Sequence, residues 1–154
     1  MRISFDIDDT LVIRNSVSRC EAGLLPGFVS EPLRQGTIKL FRELRRRRWE
    51  IWIYTTSERT PWQIRTWLWL YGLCVDGIVN SEKHREVIAR NHPLLSVSKY
   101  PPAFQIDLHV DDSEGVKMEG DAGNFRVIVV RPDDEFWAGK ILEAVNDFSS
   151  PKRA

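Results

Sequence analysis

The sequence predicts an α/β domain built on a mostly parallel sheet, and two observations carry that prediction. Short apolar, β-branched runs at residues 2–7, 49–54, 75–79, 106–110 and 126–130 are separated by longer stretches, several of them amphipathic. Strands that alternate with helices of ten to fifteen residues form βαβ units, and their strands lie parallel. Three of the runs also end in oxygen-bearing side chains: Asp6, Asp8 and Asp9 after the first, Thr55, Thr56 and Ser57 after the second, Asp111 and Asp112 after the fourth. In parallel α/β sheets ligands bind outside the carboxyl ends of the strands, so these ends are the place to look for chemistry.

Each element has a local reason. Residues 11–31 hold Gly23, Pro26 and Gly27 among scattered polar residues, which predicts a loop or hairpin excursion. Over residues 33–49, Ile38, Leu40, Phe41 and Leu44 recur at helical spacing. The aromatic, β-branched run 49–54 is a strand stopped by Thr55. Thr60-Pro61-Trp62-Gln63 reads as an N-cap, a first-turn proline and a capping-box glutamine, opening a helix that runs to Tyr71 with Gly72 as its terminator. Ser81 is expected to cap a polar helix reaching about Arg90, no element is predicted between Asp112 and Arg126, and residues 132–148 close the chain with a helix. Residues 1–148 therefore read as one domain and 149–154 as a frayed tail.

Composition narrows the function classes. A chain of 154 residues with 42% hydrophobic residues can bury a core without staples. Twenty-two basic residues balance 22 acidic ones, so the total charge gives no general attraction to nucleic acid or to an anionic membrane. Cys20 and Cys74 are too few for a disulfide framework and lack metal-type spacing. Acid is met at the sixth residue, where a signal segment would be apolar, and no uncharged run approaches the ~20 residues needed to span a bilayer. The expectation is a soluble cytoplasmic protein with no membrane partner.

Carboxylates crowded at strand ends repel one another unless a cation intervenes, and an all-oxygen set suits Mg²⁺. Asp8 and Asp9 alone would read as a solvated turn; a second acid cluster directly after another apolar strand points to a site instead. The segment Phe5-Asp6-Ile7-Asp8-Asp9-Thr10-Leu11 resembles the first motif of the haloacid dehalogenase (HAD) superfamily, an apolar strand followed by Asp-x-Asp-x-Thr. The family's later motifs follow in order: Thr55 ending the second strand, Lys99 further on, and the pair Asp111-Asp112 ending another strand. The likeness spans residues 3 to about 115.

The resemblance implies a three-layer, Rossmann-like parallel sheet with helices on both faces. Residues 12–31 would form a small hairpin flap, and neither this insert nor the stretch from Ser57 to Lys99 has room for a cap domain. It implies that Asp6 is a nucleophile forming an aspartyl-phosphate and that Asp8 is the general acid and base. Thr55 would hold a phosphoryl oxygen and Lys99 would neutralise charge, with Lys83 the less suitable lysine because it falls inside a helix. Mg²⁺ would be bound by Asp6, the Asp8 backbone carbonyl and Asp112, with Asp111 supporting or replacing Asp112. An acid at position 8 is the phosphatase or phosphomutase pattern, and of the two a phosphomonoester hydrolase is expected. Thr10, Thr56 and the flap residues Arg14, Asn15 and Arg19 are candidate substrate contacts. Relatives often carry a further acid about four residues after the pair, where Val116 and Lys117 stand here.

An open site suits a large phosphorylated substrate, or one covered by a partner subunit. Two competing readings are a receiver-like phosphoacceptor and a catalytically weak or inactive HAD-like, phosphate-binding scaffold. Receivers place their lysine after the acids, whereas Lys99 precedes Asp111. The run Arg45-Arg46-Arg47-Arg48 reads as the cationic end of a helix rather than a nucleic-acid contact. Among Trp62, Trp67 and Trp69 at least one is expected to face solvent, since Trp67 and Trp69 are two apart. His84, His92 and His109 have no metal-like spacing.

Overall fold

Five strands form one all-parallel sheet in the order β3-β2-β1-β4-β5 in the computed structural model, which describes residues 1–14 and 19–149. The elements follow one another as β1 (Arg2–Phe5), α1 (Thr37–Arg46), β2 (Glu50–Tyr54), α2 (Pro61–Trp69), β3 (Gly77–Val79), α3 (Ser81–Asn91), β4 (Leu108–Asp111), α4 (Glu114–Gly123), β5 (Arg126–Val129) and α5 (Trp137–Ser149). The chain therefore winds outward from β1 through β2 to β3, then returns to lay β4 on the other side of β1. That reversal makes the carboxyl ends of β1 and β4 a topological switch point, the place where α/β sheets of this Rossmann-like kind bind ligands. No helix among the described residues is long and apolar enough to cross a membrane.

Alternation along the strands assigns the two faces. Ile3, Phe5, Ile51, Ile53, Leu108 and Val110 point into the main core with Leu40, Phe41 and Leu44 of α1, Ile64 and Trp67 of α2, and Ile141 and Val145 of α5. Tyr54 and Val79 point the other way, onto Phe104 and Val87 of α3, while Val127 packs against Val116 of α4. Each side chain buried in this way adds about 1.5–3 kcal/mol of apolar transfer, so both faces of the sheet must be covered for it to persist.

Local expectations hold best where capping chemistry is explicit. Thr60 and Gln63 form the reciprocal capping box, and Gly72 turns with φ 71° after α2. The first helix starts at Thr37 rather than at residue 33, because Gly36 with φ 92° breaks the run. Its first turn is capped from outside: Glu21 Oε1 accepts the Gly36 and Ile38 amides at 2.9 and 3.1 Å, placing an anion at the positive helix end. Asn80, not Ser81, caps α3 by accepting the Lys83 amide. α4 was not foreseen because three glycines fall within its span; Gly120 is there since a Cβ would lie 2.8 Å from the Phe125 carbonyl and from Val127. The described part of the 12–31 segment makes two isolated bridges, Val12 to Asp8 and Cys20 to Arg34, and one 3-10 turn, Pro26–Phe28.

Candidate active site

Strand register brings the predicted residues together. β1 pairs with β4 as Phe5↔Val110 and with β2 as Phe5↔Ile53, and the Asp6 amide continues the ladder by donating to the Val110 carbonyl. One step beyond, Asp6 stands next to Asp111, and Thr55 ends the neighbouring strand. Asp6, Asp111 and Asp112 each present a carboxylate oxygen within 4.8 Å of the others. After Asp6 the chain turns sharply: the Leu11 and Val12 amides both donate to the Ile7 carbonyl, and Asp9 takes φ 57°. Aspartate tolerates that left-handed conformation better than most residues.

Lys99 ties the site together. Its Nζ donates to Asp6 Oδ1 at 2.7 Å and to Asp111 Oδ2 at 2.5 Å, and all three side chains are nearly inaccessible to water. Lys83 lies elsewhere, its ammonium over the Trp52 ring. The Lys99 segment is pinned from two sides: Glu119 of α4 accepts from the Ser98 amide, the Ser98 hydroxyl and the Lys99 amide, while the Tyr54 hydroxyl accepts from the Tyr100 amide.

Below the lysine lies a chain of hydrogen bonds that no sequence motif announces. His109 Nε2 is 2.9 Å from Asp111 Oδ2, and its Nδ1 is 2.8 Å from Ser4 Oγ. An ionised Asp111 only accepts, so Nε2 carries the hydrogen and Nδ1 accepts from the Ser4 hydroxyl. Complete burial lowers the His109 pKa to about 4, so the ring is neutral at physiological pH. The period of two along β4, with His109 and Asp111 on one face, was the available signal.

Burial sets the carboxylate pKa values against one another. Burial pushes Asp6 up to about 6; Lys99 pulls it down and Asp111 adds to the rise. Asp111 is also raised by burial, but the hydrogen bond from His109 and the charge of Lys99 outweigh this and hold it well below the usual carboxylate range. Asp112 is shifted upward by burial and by the neighbouring Asp111 charge. Asp111 is thus the firmest carboxylate of the three, paired with Lys99, and it crowds the Asp6 and Asp112 carboxyls beside it. That donor set fits a divalent cation, whose charge would relieve the crowding. Asp111 already accepts from Lys99, His109 and the Ser113 amide, which leaves Asp112 the freer ligand.

Asp8 faces a second cluster. The Arg59 guanidinium grips both its oxygens at 2.8 Å in a fork and reaches Glu31 with Nε and Nη2 at 3.1 and 2.7 Å. Arg14 joins from the 12–31 segment, 2.9 Å from Glu31 and 3.5 Å from Asp8. The Arg59 hydrogen bonds hold the Asp8 pKa below its ordinary value, so in this conformation Asp8 is a carboxylate. Nothing in the sequence marks Arg59; its carbonyl is tied to Asn80 at the end of β3, and the fold alone delivers it.

The remaining predicted residues divide. Thr55 is buried, its Oγ1 accepting from the Ser57 amide, whereas Thr56 is exposed. Thr10 is fully buried and its Oγ1 has no hydrogen-bond partner. Arg19 is exposed, and Asn15 lies outside the described residues. In the arginine run, Arg45 binds Asp76 and the Cys74 carbonyl, and Arg46 and Arg47 both bind Glu43. Trp67 is buried while Trp62 and Trp69 are exposed. No protein-family model matches the chain, and no curated protein matches its sequence.

Proposed function

We propose that this chain is a HAD-type, capless phosphomonoester hydrolase that works through an aspartyl-phosphate on Asp6. The observation that carries the reading is the Lys99 ammonium bridging Asp6 and Asp111, with Asp112 in the same cluster, at the switch point of a parallel sheet. Phosphoryl transfer asks mainly for positioning and charge neutralisation, and this arrangement supplies both.

In the first step an Asp6 oxygen attacks phosphorus, the bond to the leaving oxygen breaks, and Asp8 gives that oxygen a proton. To do so Asp8 must be protonated and must release at least one prong of the Arg59 fork; Glu31 keeps Arg59 in place meanwhile. In the second step Asp8 takes a proton from water as the water oxygen attacks phosphorus, and the Asp6 carboxylate is regenerated with inorganic phosphate. Lys99 holds Asp6 in line and offsets the charge on the transferring group. Thr55 donates its hydroxyl hydrogen to a phosphoryl oxygen. Asp6, the Asp8 carbonyl and Asp112 would hold Mg²⁺, which when bound neutralises the charge of the phosphoryl oxygens.

The test is hydrolysis of p-nitrophenyl phosphate by the full chain, with Mg²⁺, with chelator, and with Asp6→Asn. Turnover that needs Mg²⁺ and disappears in the variant is expected. Turnover that survives Asp6→Asn would sink the aspartyl-phosphate. Absence of turnover together with thermal stabilisation by Mg²⁺ would favour the inactive-scaffold reading, and absence of both would remove the cation site.

A further inference from the structure

Beside the site runs a groove of about 270 Å³ between the 12–31 segment and α2, lined by Phe28, Ser30, Glu31, Arg59, Trp62 and Gln63. Its volume is just under the ~300–1,000 Å³ of pockets that enclose whole small ligands, so it suits part of a ligand. Two of its walls are aromatic rings left in water: Phe28 is 77% exposed and Trp62 73%. Single exposed apolar residues are ordinary, but two that converge on one groove form a surface on which a flat ring can stack.

The groove is continuous with the candidate active site. Arg59 and Glu31 line it and are also the residues that grip Asp8 and hold that grip in place. Under the hydrolase reading, Asp8 protonates the leaving oxygen, so the leaving group departs on the Asp8 side. Moving outward on that side one meets Asp8, then the Arg59–Glu31 pair, then the aromatic walls. A leaving group that reaches the rings must be polar where it passes the ion pair and flat and aromatic beyond it. An aryl phosphate has its ring directly on the ester oxygen and ends before the groove, whereas a nucleotide places a sugar between phosphate and base.

We propose, resting on the phosphomonoesterase reading, that this groove is a nucleobase subsite and that the substrates are nucleoside monophosphates, with the base stacked on Trp62 and Phe28 and the sugar beside Arg59 and Glu31. One base–aromatic stack corresponds to about 5- to 150-fold in binding.

The experiment compares kcat/KM for AMP and for ribose 5-phosphate, the same ester without the base, in the native chain, Trp62→Ala and Trp69→Ala. The native chain is expected to prefer AMP, Trp62→Ala to lower that preference about 5- to 150-fold, and Trp69→Ala, an exposed tryptophan outside the groove, to leave it in place. No preference for AMP in the native chain, or equal loss in both variants, would overturn the subsite. A second measurement separates the subsite from the reaction: adenosine, which has no phosphate, should quench a component of tryptophan fluorescence that Trp62→Ala lacks. Quenching in a chain that hydrolyses no phosphomonoester would support the subsite and refute the hydrolase. Hydrolysis of p-nitrophenyl phosphate with no quenching by adenosine would do the reverse.

Discussion

Replacing Asp6 with asparagine should make the protein more stable at neutral pH while removing the proposed nucleophile. The Asp6 side chain is almost fully buried, and burial outweighs the attraction of Lys99, so the carboxyl titrates at about 6 rather than at its ordinary 3.8. A folded-state pKa above the unfolded one means that folding favours the protonated form. The contribution to stability is full below about 3.8 and is lost as pH rises through about 6. A shift of that size corresponds to about 3 kcal/mol against the ionised native state at pH 7.5. Asparagine is neutral at every pH and nearly isosteric, and Lys99 retains Asp111 as its partner, so no cation is stranded. The assay is urea denaturation without divalent cation at pH 7.5, 5 and 4. Asp6→Asn is expected to exceed the native chain by about 1–3 kcal/mol at pH 7.5, less at pH 5, and not at all near pH 4. A variant less stable than the native chain at pH 7.5 would refute the reasoning, because the Lys99 pairing would then outweigh burial.

Three further outcomes follow from the same geometry. Lys99→Met strands two buried carboxylates together and is expected to cost about 3–5 kcal/mol at pH 7.5, less at pH 5 where Asp6 can take a proton; equal losses at both pH values in chemical denaturation would count against it. His109 is neutral in the fold and gains a proton on unfolding below its ordinary 6.5, so its contribution is full above 6.5 and is lost as pH falls towards 4, by up to about 3 kcal/mol. Asp6 acts in the opposite sense over much of this range, so the native chain should lose less stability between pH 6 and 4 than Asp6→Asn does; parallel pH profiles for the two proteins would be the contrary result. Gly120→Ala places a methyl 2.8 Å from the Phe125 carbonyl and is expected to lower stability by about 1–3 kcal/mol, a fall of about 2–12 °C in Tm by calorimetry. An unchanged Tm would show that α4 can shift away from β5 at no cost.

Periodicity and local chemistry made most of the framework legible. The parallel sheet could be read from apolar runs separated by helix-length stretches, and the α2 ends from Thr60, Gln63 and Gly72, because caps and turns are decided by neighbours in sequence. The acids and hydroxyls at strand ends were legible for the same reason: a parallel sheet aligns those ends, so chemistry spread over a hundred residues of chain converges. α4 was not, since glycine at 115, 120 and 123 weakens helix propensity and Gly120 answers to a contact with β5 that sequence periodicity cannot encode.

By itself the sequence determined which residue types end the strands; of the residues it singles out, Asp6, Lys99, Asp111 and Asp112 share one cluster, while Asp8 faces Arg59 and Glu31. Tertiary structure decided how they pair. It put Lys99 rather than Lys83 on Asp6, turned Asp111 towards Lys99 and His109, and left Asp112 the freer oxygen donor. It also delivered Arg59 and Glu31 to Asp8 and opened a groove behind them. The reason is physical: an ion pair depends on a few ångströms and on how much water is excluded, and both are set by packing between segments distant in the chain.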